Sequence, residues 1–470
     1  MSTVSKGKTW PATVSAALLL LLLTGCLEKH VVWSPDGNRA AVIAKDGLHL
    51  CAPDGQLTPL LLPGVYEAAW LGDSQRLVVA RQRSVANWAS IAKALGPERA
   101  GKIVADAESL WKRLESGVKW SLLSEGSGKK KHQVAEEIYL RESHADALRM
   151  KLTAGEWDEN GSMSADISDL VIARIVGDQV QPGAPLHEGL EKIEDIRVAQ
   201  RDQAVAFTTE SAPNDDKDSL LLVCRLDTSG AVTVAKRVAA YPDWVNDGRS
   251  IVYMQASGED TKDDIRLATL VQREVMDDKG QIKISENAQD LAGLFFQKTN
   301  RVRCLRDGRI LFNAVEIALP VAGKDFPVDE HEKLYALDLA RQATLVRMIP
   351  DGEQGKLPKG LTFFEVSPDE RKVLFGGVEG EVCVLALATG EVQGWQDAGA
   401  YGLMAAPVWR NAEEITYARR NPLVNGKNPA RKAEVVLRNM AQGAGDHEKV
   451  LSQGWSNEML ESVYSASENR

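Results

Sequence analysis

The chain has 470 residues, is 44% hydrophobic and 26% charged, and carries a formal charge of −10. It therefore has the length and composition of a folded body with a large core, which excludes a disordered polymer. The acidic balance argues against a nucleic-acid binder, whose phosphate contacts need clustered Lys and Arg.

The first element in chain order is a leader over residues 1–25. Lys6 and Lys8 precede an apolar run that begins near Ala12, and the leucine block at 18–23 is too short to span a bilayer. With small residues just before Cys26, this is the pattern of a signal peptide and not of a transmembrane helix. Leu23-Thr24-Gly25-Cys26 resembles the lipobox of bacterial lipoproteins. The resemblance implies cleavage before Cys26 and its acylation by fatty chains such as palmitate. Each buried acyl methylene contributes about 0.8 kcal/mol, so several chains hold a soluble domain on a membrane surface. The next residue, Leu27, differs from the aspartate of inner-membrane retention signals. The expected location is the outer membrane, facing the periplasm or cell surface, in a cell with two membranes, and otherwise the outer face of the plasma membrane.

From there the chain repeats. Trp33-Ser34-Pro35-Asp36-Gly37 leads into Ala40-Ala41-Val42-Ile43, and Trp70-Leu71-Gly72-Asp73 into Leu77-Val78-Val79. The unit returns at Trp244-Val245-Asn246-Asp247-Gly248, Arg306-Asp307-Gly308, Ser367-Pro368-Asp369 and Trp409-Arg410-Asn411, with a degraded copy turning at Arg201-Asp202. Each copy is a hairpin: an apolar strand, a tight turn in which Asp-Gly tolerates positive φ, and a β-branched or aromatic return strand. Two further strand-like runs follow each copy, as in Leu48-His49-Leu50-Cys51 before Leu57. Four antiparallel strands per repeat describe an all-β propeller over 26–455. Seven blades are expected, with six as the alternative because the copies near Asp202 and Asn411 depart from the pattern. The recurring aspartates read as turn formers and the tryptophans as inter-blade packing. Cys51, Cys224, Cys304 and Cys383 lie in apolar runs without Cys-x-x-Cys spacing and read as core residues.

The Trp-Ser-Pro-Asp-Gly form resembles the repeat of TolB-type propellers, also found in relatives of prolyl oligopeptidase. The resemblance implies the fold and says little of function.

Naming the strands of a blade A to D from the axis outward, every B-to-C and every D-to-next-A connection opens on one face. The second repeat breaks after Val79 and resumes near Leu170; further excursions are expected at 211–218, 257–264, 317–332 and 419–432. The largest, residues 86–160 in blade two, is helical in its first half, where Trp88, Ile91 and Leu95, then Ile103, Leu110, Trp111 and Leu114 recur at three- and four-residue steps. Trp88, Trp111, Lys129, Lys130, Lys131, Arg419 and Arg420 are the candidate partner surface. Residues 456–470 form either a tail or a ring-closing segment, as a short helix through Met459, Leu460 and Val463 or as a strand.

Enzymatic signatures are sparse. No Gly-x-Ser-x-Gly elbow occurs, and little chain follows the last blade to hold a hydrolase domain. Gly126-Ser127-Gly128-Lys129 lacks the earlier glycine and the hydroxyl residue of a phosphate loop. His187-Glu188 and His331-Glu332 lack a second histidine, and the acidic runs at 215–218 and 259–264 lack calcium-loop spacing. No cofactor is implied. The expected function is non-catalytic: a lipid-anchored binding or scaffold module of the bacterial envelope, engaging a protein, peptide or glycan. The alternative is a hydrolase or lactonase whose carboxylates and histidines meet at the channel mouth.

Overall fold

A computed structural model describes residues 29–85, 97, 165–177, 179–189, 191–199, 201, 203–209, 219–245, 248–256, 266–278, 280–296, 301–317, 333–341, 344–348, 361–377, 382–395, 403–420, 433–440 and 448–464. The described strands form seven antiparallel sheets, each from one continuous stretch of chain apart from a single added strand: 31–63, 65–189, 193–236, 238–296, 302–347, 361–395 and 403–450. Between each sheet and the next lies a buried apolar cluster, and one such cluster joins the seventh sheet to the first. The fold is a seven-bladed β-propeller.

Strand alternation explains why the second strand of each blade reads as continuously apolar. In Ala40–Ala44, Ala40, Val42 and Ala44 pack toward blade 7 while Ala41 and Ile43 pack toward blade 2. Leu77 and Val79 likewise face blade 1, and Val78 and Ala80 face blade 3. Both faces of the strand are interior, so polar alternation is lost.

The A-to-B turns hold the aspartates as local acceptors. Ser34 Oγ donates to Asp36 Oδ1 at 2.6 Å, and the Asn38 N–H donates to the same oxygen at 3.0 Å. Ser367 and Asp369 repeat the arrangement. Asp73 accepts from the N–H groups of Gln75 and Arg76, Asp307 from that of Arg309, and Asn411 from those of Glu413 and Glu414. Asn411 thus does the work of aspartate, and its copy is a full blade. The left-handed position of the turn is Gly37, Gly248 or Gly308 where glycine is present, and Ser74 or Glu370 where it is not.

Four inner strands end on tryptophan, and each indole fixes the phase of neighbouring blades. Trp70 Nε1–H donates to the Val32 carbonyl at 2.8 Å, Trp244 to Arg197 at 2.9 Å and Trp409 to Glu365 at 3.1 Å, always on the inner strand of the preceding blade. At the seam between blades 7 and 1 the bond is relayed: Trp33 donates to Thr416 Oγ1 at 3.1 Å, which lies 3.5 Å from the Val408 carbonyl. Arg410 adds to the seam, stacking over the Trp33 ring and donating to the Gly37 carbonyl.

The C-terminal segment forms a helix, Asn457–Tyr464. Its Leu460 and Val463 join the cluster between blades 7 and 1, the Lys45 N–H donates to the Ser462 carbonyl, and Trp455 Nε1–H donates to the Gly55 carbonyl. Several expected details differ: the second repeat runs on to Val85 and resumes at Ala165, and Arg419 and Arg420 belong to the strand Glu414–Arg420. Blade 4 gains a fifth strand, Glu316–Ile317, paired with the outer strand Gln281–Phe296, so Ile317 belongs to that sheet and not to a loop. The outer strand of blade 1 is Leu62–Pro63, while Leu57 forms only an isolated bridge to Cys51. Cys51, Cys224, Cys304 and Cys383 are buried and unbridged, and burial pushes the Cys51 and Cys224 thiols up to about 12.

Thr416→Val keeps the side-chain shape but leaves the buried Trp33 N–H without its acceptor. It is expected to lower stability by about 1–3 kcal/mol in urea unfolding, and less when combined with Trp33→Phe.

Candidate functional site at the axial channel

The seven inner strands align on the residue that opens each A-to-B turn, whose N–H bonds the start of the next strand: Ser34, Leu71, Ala199, Val245, Leu305, Ser367 and Arg410. Two residues earlier stand Val32, Ala69, Arg197, Asp243, Arg303, Glu365 and Val408. Blades 3 to 6 therefore place charges of alternating sign at one level of the channel, and blades 7, 1 and 2 place apolar residues there. Two of their contacts reach toward the next blade. Asp243 accepts the Cys304 N–H at 2.9 Å, and Arg303 Nη2 lies 3.4 Å from Glu365 Oε2. The belt ends on Lys29, just before the first strand, whose Nζ meets Glu365 at 2.6 Å; Arg301 stands 3.7 Å away.

Low-dielectric walls make these couplings strong. Burial alone would raise the Glu365 carboxyl, but Lys29, Arg303, Arg301 and Arg197 outweigh it and hold the group below the usual carboxylate range. Lys29 moves down to about 7, driven by burial and by Arg303, Arg197 and Arg301 against the pull of Glu365.

A second cluster lies between blades 2 and 3. Asp195 has a left-handed backbone, φ 58°, at an irregularity where the pairing of Ile193–Val198 with Ala204–Thr209 shifts. The bulge turns two successive N–H groups toward blade 2, where Glu67 accepts from Asp195 at 3.1 Å and from Ile196 at 2.9 Å. Such a conformation costs about 1–3 kcal/mol and persists only where its surroundings hold it. Glu67 rises from its ordinary 4.5 to about 8, through burial and the nearby Asp195 and Glu194, against the Ile196 hydrogen bond. Burial and the neighbouring carboxylates thus favour the protonated form of this carboxyl. Among the described residues, no group of three or more His, Cys, Asp or Glu side chains is placed to hold a metal ion.

Of the expected surface, Trp88, Trp111, Lys129, Lys130 and Lys131 lie outside the described residues, as do Cys26 and residues 86–96 and 98–164 of the insertion region. Arg419 is bound within blade 7, to Glu448 at 2.8 Å and Glu434 at 3.4 Å. Arg420 ends the strand Glu414–Arg420, opposite Ala433. The root of the insertion is braced: fully buried Asp169 takes a two-point bond from Arg81 at 2.7 and 3.0 Å and another from Arg83 at 2.7 Å. Sequence reading missed Lys29, Glu67, Asp195, Arg197, Asp243, Arg303 and Glu365. The column two residues before each turn was the available signal for the belt.

No protein-family model matches the sequence, and no curated protein matches it. Solved structures do. TolB from Acinetobacter baumannii is 13% identical with a TM-score of 0.36, and the match covers 58% of this chain and 57% of TolB. Oligogalacturonate lyase from Vibrio parahaemolyticus is 10% identical, with a TM-score of 0.37 and coverage of 74% and 73%. Prolyl oligopeptidase B from Galerina marginata is 9% identical, with a TM-score of 0.48, covering 94% of this chain and 54% of that one. The likeness is one of fold, and proteins named as lyases and peptidases share it with TolB.

The native Glu67 carboxyl holds its proton up to about pH 8, whereas the unfolded chain releases it near 4.5. The native state binds more protons across that window, so this group's contribution to stability falls as pH rises through it. Wild type is therefore expected to lose melting temperature relative to Glu67→Gln between about pH 5 and pH 9, as read by differential scanning fluorimetry.

Proposed function

We propose that the protein is a lipid-anchored binding or scaffold module of the bacterial cell envelope, working through the face at which its long connections leave the ring. The observation that carries this reading is strand polarity. In each blade the inner strand runs to its A-to-B turn, so the opposite face collects the B-to-C and D-to-A connections. The strand ends that bracket 86–164, 210–219, 257–265, 318–332 and 421–432 all lie there. Opposite them, the A-to-B turns are short and closed by their own hydrogen bonds. Long excursions from a rigid scaffold are where binding residues concentrate. The partner class is an envelope protein, peptide or glycan, and the anchor is Cys26.

Glu67 is the one observation that favours the alternative, a hydrolase or lactonase, because a carboxyl that stays protonated near neutrality suits general-acid work. On that reading Glu67→Gln abolishes turnover and leaves partner binding intact.

Replacing residues 86–160 with a short Gly-Ser linker is expected to keep the propeller folded and to remove cross-links between the membrane-bound protein and its partner. An unchanged cross-linking pattern overturns the role given to the insertion. Cys26→Ala is expected to move the protein from the membrane to the soluble fraction, and a variant that still fractionates with membranes overturns the anchor.

A further inference from the structure

The ring holds its own N-terminus at the centre of the connection-rich face. Val31–Trp33 is an inner strand, so the chain before it enters beside the axis. Its direction is set by two bonds. Ser34 opens the A-to-B turn at one end, while at the other the Ile43 N–H donates to the His30 carbonyl at 2.8 Å, beside the Lys45–Asp46 turn between the second and third strands. Lys29 and His30 therefore lie toward the face of the B-to-C connections, inside the ring. Lys29 then crosses to blade 6 and meets Glu365 at 2.6 Å, and Glu365 is held in turn by Arg303. Only Leu27 and Glu28 separate Lys29 from Cys26.

That spacing is too short to let the ring turn over. Three residues, fully extended, reach about 10 Å. A compact body of this size has a radius of gyration of about 22 Å, so a tether rising from the axis falls short of the rim. For the opposite face to meet the bilayer, the chain would have to pass around that rim.

We infer that the connection-rich face is docked on the headgroup surface of the bilayer, with the Lys29–Glu365 pair as the clamp that holds it there, and that the A-to-B turns point away. The inference rests on the lipid anchor at Cys26. It deepens the proposed function: the partner engaged through the long connections is one presented at the lipid surface.

The test uses two ends of one strand. Asn38 and Lys45 are exposed and flank Ala40–Ala44, Asn38 in the A-to-B turn and Lys45 in the B-to-C turn. The four described native cysteines are buried, so a fluorophore on Asn38→Cys or Lys45→Cys reports its own position. The lipidated full-length protein is reconstituted into phosphatidylethanolamine–phosphatidylglycerol vesicles carrying a headgroup quencher. Quenching at Lys45→Cys is expected to exceed that at Asn38→Cys several-fold. Lys29→Met, which releases the clamp without removing the side-chain stem, is expected to bring the ratio toward one while the protein still floats with the vesicles. Flotation with equal or reversed quenching in the parent protein overturns this inference and leaves the anchor standing. A protein that does not float overturns the anchor reading, and the inference with it.

Discussion

A sheet with two apolar faces has to be covered on both sides. The second strands of these blades are buried on each face, as the split of Ala40–Ala44 between two clusters shows. A row of such sheets would leave an exposed apolar face at either end, and only closure removes both ends. Every other feature follows from that constraint. The sheets must repeat, the repeats must share one phase, and the last must meet the first without covalent help.

Phase is carried by the tryptophans. An indole is wide enough to fill the gap between inner strands and has one N–H to satisfy, so its acceptor fixes how far one blade is displaced from its neighbour. At three junctions the acceptor is the carbonyl two residues before the preceding turn, or its equivalent where the turn is degraded. The seam departs from this pattern because Thr416 Oγ1 stands between Trp33 and the Val408 carbonyl. Closure draws its remaining strength from chain beyond the last strand. The helix Asn457–Tyr464 adds Leu460 and Val463 to the seam cluster, and Trp455 bonds to the Gly55 carbonyl of blade 1.

What the sequence made legible was the local part. Trp-Ser-Pro-Asp-Gly is a turn whose hydrogen bonds close within six residues, so Asp36, Asp73 and Asp369 announce themselves as turn formers without knowledge of the rest. In the structure they accept from neighbouring backbone N–H groups, as turn formers do. The channel was not legible in the same way. Arg303 and Glu365 come from blades 5 and 6, and their pairing exists only once the ring has closed. Glu67 shows the same limit. Its raised carboxyl depends on a bulge at Asp195 in another blade, and nothing in Val65–Trp70 foretells it. The long excursion within blade 2 was visible as a break in the repeat. Its bracing by Asp169, Arg81 and Arg83 was not, because those residues read as ordinary charges on a strand.

The charge belt bears on how the ring is held more than on how stable it is. Buried ion pairs seldom add net stability over apolar packing of the same shape, while breaking one leaves a costly unpaired charge. Such groups are better suited to fixing a particular arrangement. Here the alternating signs of Arg197, Asp243, Arg303 and Glu365 run through four consecutive blades and end on Lys29, which precedes the first strand. Substituting apolar residues through the belt would still fill the channel, but it would release the segment that leads into Val31. A short tether is directional only if its root is fixed, and the belt fixes that root at the axis.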